Sequence, residues 1–221
     1  MALPPDRTSG AIPGRPTIAT RTSTQLGAVS SSDLETADDL VVASSVLDGD
    51  RDAFRILVER ESAAVVRACY RVLGNQHEAE DAAQEAFVIA YRSLGSWRGE
   101  GPFGAWLARI AVRLAVRAAS RRRLVPWAQP SDDLEDRRRP VGVAGAPEPE
   151  HEALRAERAA VMRRAVAALD EPYREVVALR FFADRSLDEI ATQTGRPIGT
   201  VKTHLRRGLL RLRDSLAGGP P

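Results

Sequence analysis

The sequence has few of the residue types from which metal and redox sites are built. Among 221 residues there is one cysteine, Cys69, and there are three histidines, His77, His151 and His204. One cysteine excludes an intramolecular disulfide and a cysteine-rich zinc site, and histidines so far apart have no metal-ligand spacing. The sequence therefore predicts no metal and no cofactor. Cys69, which has apolar neighbours, fits a small buried residue better than a redox sensor.

Long apolar runs and strand-like patterns are also missing. No run approaches the length of a bilayer span, and the N-terminus lacks the apolar stretch of a signal peptide. We therefore expect a cytoplasmic protein without membrane contact. No segment of any length alternates apolar and polar residues, and the abundant Ala, Leu, Arg and Glu favour helix. These features predict an all-α fold.

Catalytic motifs are not evident. The segment from Gly99 to Gly104 spells G-x-G-x-x-G, but a dinucleotide-binding unit requires a preceding strand, which the pattern does not show. No Ser/His/Asp grouping and no lysine-containing phosphate loop is visible. We expect a protein that is not an enzyme.

Composition divides the chain into four parts. Residues 1–35 are rich in Ser, Thr, Pro and Gly and predict a disordered extension. Residues 36–124 carry four helical patterns and predict a first domain. Residues 125–150 contain five prolines and several acidic residues, as is typical of a flexible linker. Residues 151–217 predict a second, smaller helical domain.

A helix-turn-helix is the strongest local signal, and it lies in the second domain. Ser186 and Glu189 form a capping box that begins one helix, and Gly195 permits a tight turn. The inner face of the next helix is predicted to contain Ile198, Val201, Leu205, Leu209 and Leu212. From Arg196 onward, the chain has no acidic residue before Asp214. This stretch contains six basic residues: Arg196, Lys202, Arg206, Arg207, Arg211 and Arg213. A helix with such a face fits the major groove of DNA, and we favour this over a solvated arginine face.

The third helical pattern, from about His77 to Leu94, has an acidic outer face. Asp81, Gln84, Glu85 and Val88 share this side. Carboxylates beside an exposed apolar residue fit a protein partner better than DNA phosphates. A plain amphipathic helix with a wet acidic face is the alternative, and the pattern alone favours it.

The fourth helical pattern, from about Phe103 to Arg123, carries arginines at every fourth position: Arg109, Arg113, Arg117 and Arg121. Such a row of arginines can bind the phosphates of a nucleic-acid backbone. A charged face that only contacts solvent is a fair alternative. Trp106 lies in the apolar stripe of this helix and is predicted to be core. In the preceding loop, beside Arg98, Trp97 fits two roles equally well, stacking on an unpaired base or closing the bundle.

Several motifs together resemble one protein family. Asp81-Ala-Ala-Gln-Glu-Ala-Phe87 and Phe103-Gly-Ala-Trp-Leu-Ala-Arg-Ile-Ala111 resemble domain two of sigma-70 factors. Leu169-Asp-Glu-Pro-Tyr-Arg-Glu-Val176 and Gly199-Thr-Val-Lys-Thr-His-Leu205 resemble domain four. The order of these motifs and the lack of a third domain between them resemble the extracytoplasmic-function (ECF) subgroup.

The resemblance implies a subunit that binds core RNA polymerase and directs promoter-specific initiation, for a stress or envelope response. It implies that Asp81, Gln84, Glu85 and Val88 bind the clamp helices of the largest polymerase subunit. The −10 element would be bound and melted by Trp97, Arg98, Arg109, Arg113, Arg117 and Arg121. The −35 element would be read by Arg196, Gly199, Thr200, Lys202, Thr203, His204, Arg206 and Arg207. Arg113 and His204 depart from the residues common in the family, which leaves the promoter sequence open. An anti-sigma factor is a further partner that the resemblance leaves open.

Other functions were weighed against this one. A helix-turn-helix regulator that does not bind core polymerase is the main alternative. A response regulator would need an α/β receiver, and the first half shows no strands. An enzyme and a purely helical adaptor are weaker alternatives.

Overall fold

A computed structural model of the chain describes residues 37–124 and 149–217, and within these ranges the fold is all-α, as predicted. The extension predicted over 1–35 and most of the predicted linker, residues 125–148, lie outside the described residues. The helices of the first part are α1 (Asp39–Leu47), α2 (Phe54–Leu73), α3 (Gln76–Arg92) and α4 (Phe103–Leu124). Those of the second part are α5 (Pro149–Ala168), α6 (Tyr173–Phe181), α7 (Leu187–Thr194) and α8 (Ile198–Ala217).

Local residues set the boundaries between the first helices. The Asp50 carboxylate accepts a hydrogen bond from the Ala53 amide at 3.3 Å, which caps the short turn leading into α2. Gly74 ends α2 with a φ of 74°, a left-handed conformation that glycine adopts without strain. The Asn75 side chain then accepts from the Glu78 amide at 3.0 Å and begins α3. These stops and starts turn the chain back on itself, so α2 and α3 can pack together.

The first unit, α1 to α4, is built around α2, α3 and α4. Leu57, Phe103 and Leu107 are fully buried at its centre. The inward side of α3 consists largely of alanines, which allow its backbone to approach its neighbours closely: Ala79, Ala82, Ala83, Ala86 and Ala90. The prediction that Trp106 is core is only partly right, because its side chain is half-buried at the edge of this unit.

The second unit, α5 to α8, is smaller and has a narrower core. Helix α5 begins at Pro149, two residues before the predicted start, which fits the preference of proline for the first helical position. Helix α8 packs on α6 and α7 and buries Val201, Gly208 and Leu212. The prediction that Ile198 and Leu209 face inward is wrong: they are 37% and 41% exposed. Helix α8 packs mainly on α6 and α7, with a smaller contact to α5, and its buried stripe is narrow.

The two units contact each other, which the sequence analysis did not anticipate. Helix α4 of the first unit packs on α5, α6 and α7 of the second. Buried apolar residues of both units form one continuous cluster. Arg71 of α2 binds the Asp184 carboxylate and donates to the Phe182 carbonyl at 3.3 Å. The Ser120 hydroxyl donates to the Ala167 carbonyl at 3.4 Å.

Candidate polymerase and nucleic-acid interfaces

Helix α3 presents its polar side to solvent because its alanine side is packed against α2 and α4. Asp81, Gln84 and Glu85 are exposed there, and Val88 beside them is 47% exposed. The predicted face is therefore a continuous surface of two carboxylates, one amide and one apolar side chain. Such a surface can hydrogen-bond to basic and amide groups of a protein and bury a small apolar contact.

The turn between α7 and α8 is fixed by short-range hydrogen bonds. The Ser186 hydroxyl accepts from the Glu189 amide at 3.2 Å, and the Glu189 carboxylate accepts from the Ser186 amide at 2.8 Å, so the predicted capping box is confirmed. Gly195 follows α7 with a φ of 66°. The Thr200 amide then donates to the Pro197 carbonyl at 2.9 Å as α8 begins. The capping box fixes the start of α7, and the bonds around Gly195 and Pro197 hold the turn into α8.

The exposed side of α8 is basic. Lys202, Thr203, Arg206 and Arg207 are exposed, as is Gly199 near the start of the helix, whereas Thr200 is half-buried. No acidic residue occurs between Arg196 and Asp214 in the sequence. The surface is therefore uniformly positive, which attracts phosphates.

His204 belongs to the inner edge of this surface. Its ring lies edge-on to that of Tyr173, with centroids 5.7 Å apart. Burial, with the charges of Arg196 and Arg207, lowers the pKa of His204 below its ordinary value. The lowered pKa favours the neutral imidazole, which can serve as a hydrogen-bonding group. Arg211 lies 4.0 Å from the centre of the Tyr173 ring, so this tyrosine also orients part of the basic surface.

The arginines of α4 do not all lie in the same environment. Arg113, Arg117 and Arg121 are exposed, as is Arg98 in the loop. The Arg109 side chain is only 25% exposed. Trp97 is 5% exposed and packs edge-on against Phe103, with ring centroids 5.4 Å apart. In this structure Trp97 closes the bundle.

Glu175 of α6 is a residue to which the sequence analysis gave no function. Its carboxylate accepts from Arg109 at 3.0 Å and from Arg196 at 2.9 Å, and Arg113 lies at 3.4 Å. The side chain is only 4% exposed. Burial raises the pKa of this carboxyl, but the hydrogen bonds and charges of the three arginines outweigh burial, so its pKa lies below the ordinary value. The sequence did contain a signal for this role. Glu175 directly precedes the apolar run Val176-Val177-Ala178, and a carboxylate buried beside such a run needs a basic partner.

Two clefts separate the units where their packing is incomplete. One, of about 650 Å³, is lined by Arg113, Arg117, Arg174 and Glu175 among others. The second, of about 590 Å³, lies between the Trp97 loop and α7, and Arg109 borders both. Of the predicted −10 residues, Arg109 is drawn against the second unit, whereas Arg98, Arg113, Arg117 and Arg121 stay exposed beside these clefts.

Within the described ranges, no cluster of His, Cys, Asp and Glu could hold a metal ion. None of the helices in these ranges is long and apolar enough to span a membrane. Cys69 is fully buried, and burial raises the pKa of its thiol to about 12. These properties fit its predicted role as a small core residue.

Comparison with known proteins places both units in one family. Residues 57–125 match the family Sigma-70 region 2, and residues 159–212 match Sigma-70, region 4. The ECF RNA polymerase sigma factor SigW of Bacillus subtilis (strain 168) is 34% identical over 172 residues, which are 76% of this chain and 91% of SigW. The ECF RNA polymerase sigma-E factor of Escherichia coli (strain K12) is 33% identical over 175 residues, 78% of this chain and 91% of that factor.

A solved structure, that of CnrH in complex with the cytosolic domain of CnrY, covers 81% of this chain and 97% of its own. Its TM-score is 0.50 and its sequence identity 24%, so this likeness supports the fold alone. Together the two family matches, in their order along the chain, and the relatives that match most of its length lead to one conclusion: the chain belongs to the ECF RNA polymerase sigma factors.

Proposed function

We propose that this sigma factor docks on core RNA polymerase through the outer face of α3 and contacts two promoter elements through α4 and α8. The polymerase carries the catalysis, and the sigma factor is not itself an enzyme. The observation that carries the proposal is the opposite charge of two exposed faces, acidic on α3 and basic on α8. We further propose that the promoters serve a stress or envelope response, and that an anti-sigma factor is an additional partner.

The acidic face of α3 suits a protein and not DNA. Asp81 and Glu85 would be repelled by phosphates, whereas Val88 provides apolar area that a protein partner can bury. We assign this face to the clamp helices of the largest polymerase subunit. The buried alanine side of α3 holds the helix backbone in place, so that binding must order the exposed side chains but not the backbone.

A double substitution tests this assignment. Because Gln84 and Glu85 are exposed, Gln84→Ala with Glu85→Ala should leave the fold intact and weaken core binding about tenfold or more. The matched control is Glu59→Ala, since Glu59 is an exposed glutamate on α2 that forms a surface ion pair with Arg55 at 2.9 Å. Fluorescence anisotropy of labelled sigma factor with core enzyme gives both affinities. Wild-type affinity in the double variant would remove α3 from the interface.

The basic face of α8 is assigned to the −35 element. We expect Gly199, Thr200, Lys202 and Thr203 to approach base edges in the major groove. Arg196, Arg206 and Arg207 lie where they can neutralise phosphates, and neutral His204 can hydrogen-bond to a base or to the backbone.

A double substitution tests whether α8 contacts promoter DNA. Lys202→Ala with Arg206→Ala should spare core binding and weaken promoter binding, and loss of the Arg206 phosphate contact should lower the salt slope by about 1. Arg55→Ala, which removes the same charge from an exposed site on α2, serves as the control. An unchanged salt slope and affinity would contradict the assignment of α8.

The −10 element is assigned to α4 and the loop before it. Arg113, Arg117 and Arg121 provide the phosphate contacts, together with Arg98 and Arg109. Trp97 must leave its contact with Phe103 if it is to stack on an unpaired base. Stacking contributes about 1–3 kcal/mol per base, which is comparable with what a buried aromatic side chain gains from its apolar contacts. Run-off transcription with core polymerase is the assay for the complete proposal.

A further inference from the structure

Glu175 joins residues that the proposed function assigns to different promoter elements. Arg109 and Arg113 belong to α4, which we assign to the −10 element. Arg196 precedes α8, which we assign to the −35 element. One carboxylate binds all three guanidinium groups. An anionic group between arginines is what these residues would meet on a DNA backbone, but here it belongs to the protein itself.

The distances exclude promoter binding by both units in this arrangement. Arg109 and Arg196 bind different oxygens of one carboxylate, so their bonding nitrogens lie within about 10 Å of each other. Elements centred near −10 and −35 are separated by roughly 25 base pairs, or about 85 Å along B-DNA. A compact protein of this size is only about 40 Å across. The units must separate before both elements can be contacted.

We propose that this arrangement is a closed, autoinhibited state of the sigma factor, and that Glu175 holds it closed by taking the place of DNA phosphate between the arginines of the two units. The inference rests on the promoter contacts proposed above. It adds that the free chain binds Arg109, Arg113 and Arg196 with its own carboxylate and holds the two units too close together for both promoter elements. Promoter engagement then requires the contacts of Glu175 with Arg109 and Arg113 to break.

The energetics suit a contact that must open. A buried ion pair gains Coulomb energy but loses hydration, and the two nearly cancel. When the units separate, Glu175 stays paired with Arg196 of its own unit, so its carboxylate is not left buried without a counter-charge. In this arrangement the side-chain amide of Gln193, at the cleft between the units, is buried without a hydrogen-bond partner among the described residues, which is unfavourable. The ion pair of Arg71 with Asp184 is 44% and 70% exposed and adds little.

A reversible crosslink tests whether closure blocks promoter binding. A Cβ added to Gly101 of the first unit would lie 3.9 Å from the Thr192 methyl of the second. Gly101→Cys with Thr192→Cys therefore places two thiols close enough for a disulfide after a small adjustment of the loop. Gly101 lies in the loop assigned to the −10 element but is not among the residues proposed to contact DNA, and the reduced form of the same variant controls for any direct effect of the substitution. Buried Cys69 does not compete.

The oxidised double-cysteine protein, in the presence of core enzyme, should bind a promoter with both elements about 100-fold or more weakly than the reduced protein, because the second contact can no longer be made. Each single-cysteine variant should be insensitive to oxidant. Equal promoter binding by the oxidised and reduced forms would overturn the proposal. If the reduced protein and the wild type both fail to initiate at any promoter, the proposed function fails instead.

A second experiment tests Glu175 itself without DNA. Dyes attached to Glu59→Cys and Ser215→Cys, both exposed and in different units, report the separation of the units by energy transfer in the full chain. Glu175→Gln keeps the shape but removes the charge, and should increase the population with a long dye separation several-fold. Glu171→Gln is the control, because this exposed glutamate pairs with Arg174 of its own unit at 2.9 Å. Identical distance distributions for Glu175→Gln and the wild type, with unchanged circular dichroism, would refute the role of Glu175.

Discussion

Replacing Gly208 with alanine tests how closely α6 and α8 approach each other. In an ordinary exposed helix position the change from glycine to alanine stabilises by about 1 kcal/mol, because alanine loses less backbone entropy. At Gly208 the added Cβ would lie 2.7 Å from the nearer Val177 methyl and 3.4 Å from Tyr173 Cβ. Overpacking of this kind costs about 1–3 kcal/mol. We therefore expect Gly208→Ala to be neutral or to destabilise by up to about 2 kcal/mol.

Two further variants isolate the packing contribution. Gly199→Ala, in the first turn of the same helix and with nothing within 4 Å of its added Cβ, should be neutral or stabilise by up to about 1 kcal/mol. Val177→Ala destabilises by itself because Val177 is 1% exposed, but it makes room for the new methyl. The double variant Val177→Ala with Gly208→Ala should consequently be more stable than the sum of the single effects, by about 1 kcal/mol or more.

Urea unfolding followed by circular dichroism gives the free energies of unfolding for all four proteins and the wild type. The slope against urea should be unchanged, so that midpoints can be compared directly. The reasoning fails if Gly208→Ala stabilises as much as Gly199→Ala does, or if the double-variant cycle shows no coupling between positions 177 and 208.

Three other measurements follow from the structure. Ser186→Ala removes the hydroxyl that caps α7 and should cost about 1 kcal/mol in urea unfolding, whereas Ser186→Asp should retain most of the stability. The Cys69 thiol, whose pKa burial raises to about 12, should react with a thiol reagent at pH 8 only after unfolding; rapid labelling of the native chain would show that the core opens there. The pKa of Glu175 is lower in the folded chain than its ordinary value of 4.5, so its contribution to stability is present above that pH and is lost as the pH falls below it. Glu175→Gln should accordingly flatten the acid side of the stability profile, and a profile with the wild-type slope would contradict this.

Much of the fold within each unit could be predicted from the sequence because its signals are local. The Ser186–Glu189 capping box and the turn at Gly195 each depend on neighbouring residues, and the structure confirms both. The exposure of Asp81, Gln84 and Glu85 follows from the helical period and the alanines opposite them. Their roles on polymerase and DNA stay predictions.

What the sequence did not predict depends on contacts between distant residues. The inward placement of Ile198 and Leu209 was wrong because helical period gives the direction of a side chain but not whether another helix covers it. The position of Trp97 depends on Phe103, and the environment of Arg109 depends on Glu175, which is 66 residues away. Charges on α4 were interpreted from that helix alone, so the acid from the second unit that lies among them was missed.

The continuity of the apolar cluster across α4, α5 and α6 also bears on how the free chain denatures. Two independent modules would give two calorimetric endotherms, each with its own midpoint. Because the two units share one apolar cluster, they should unfold together, and heating the free protein should give one endotherm. Any ligand that pulls the halves apart should split it into two.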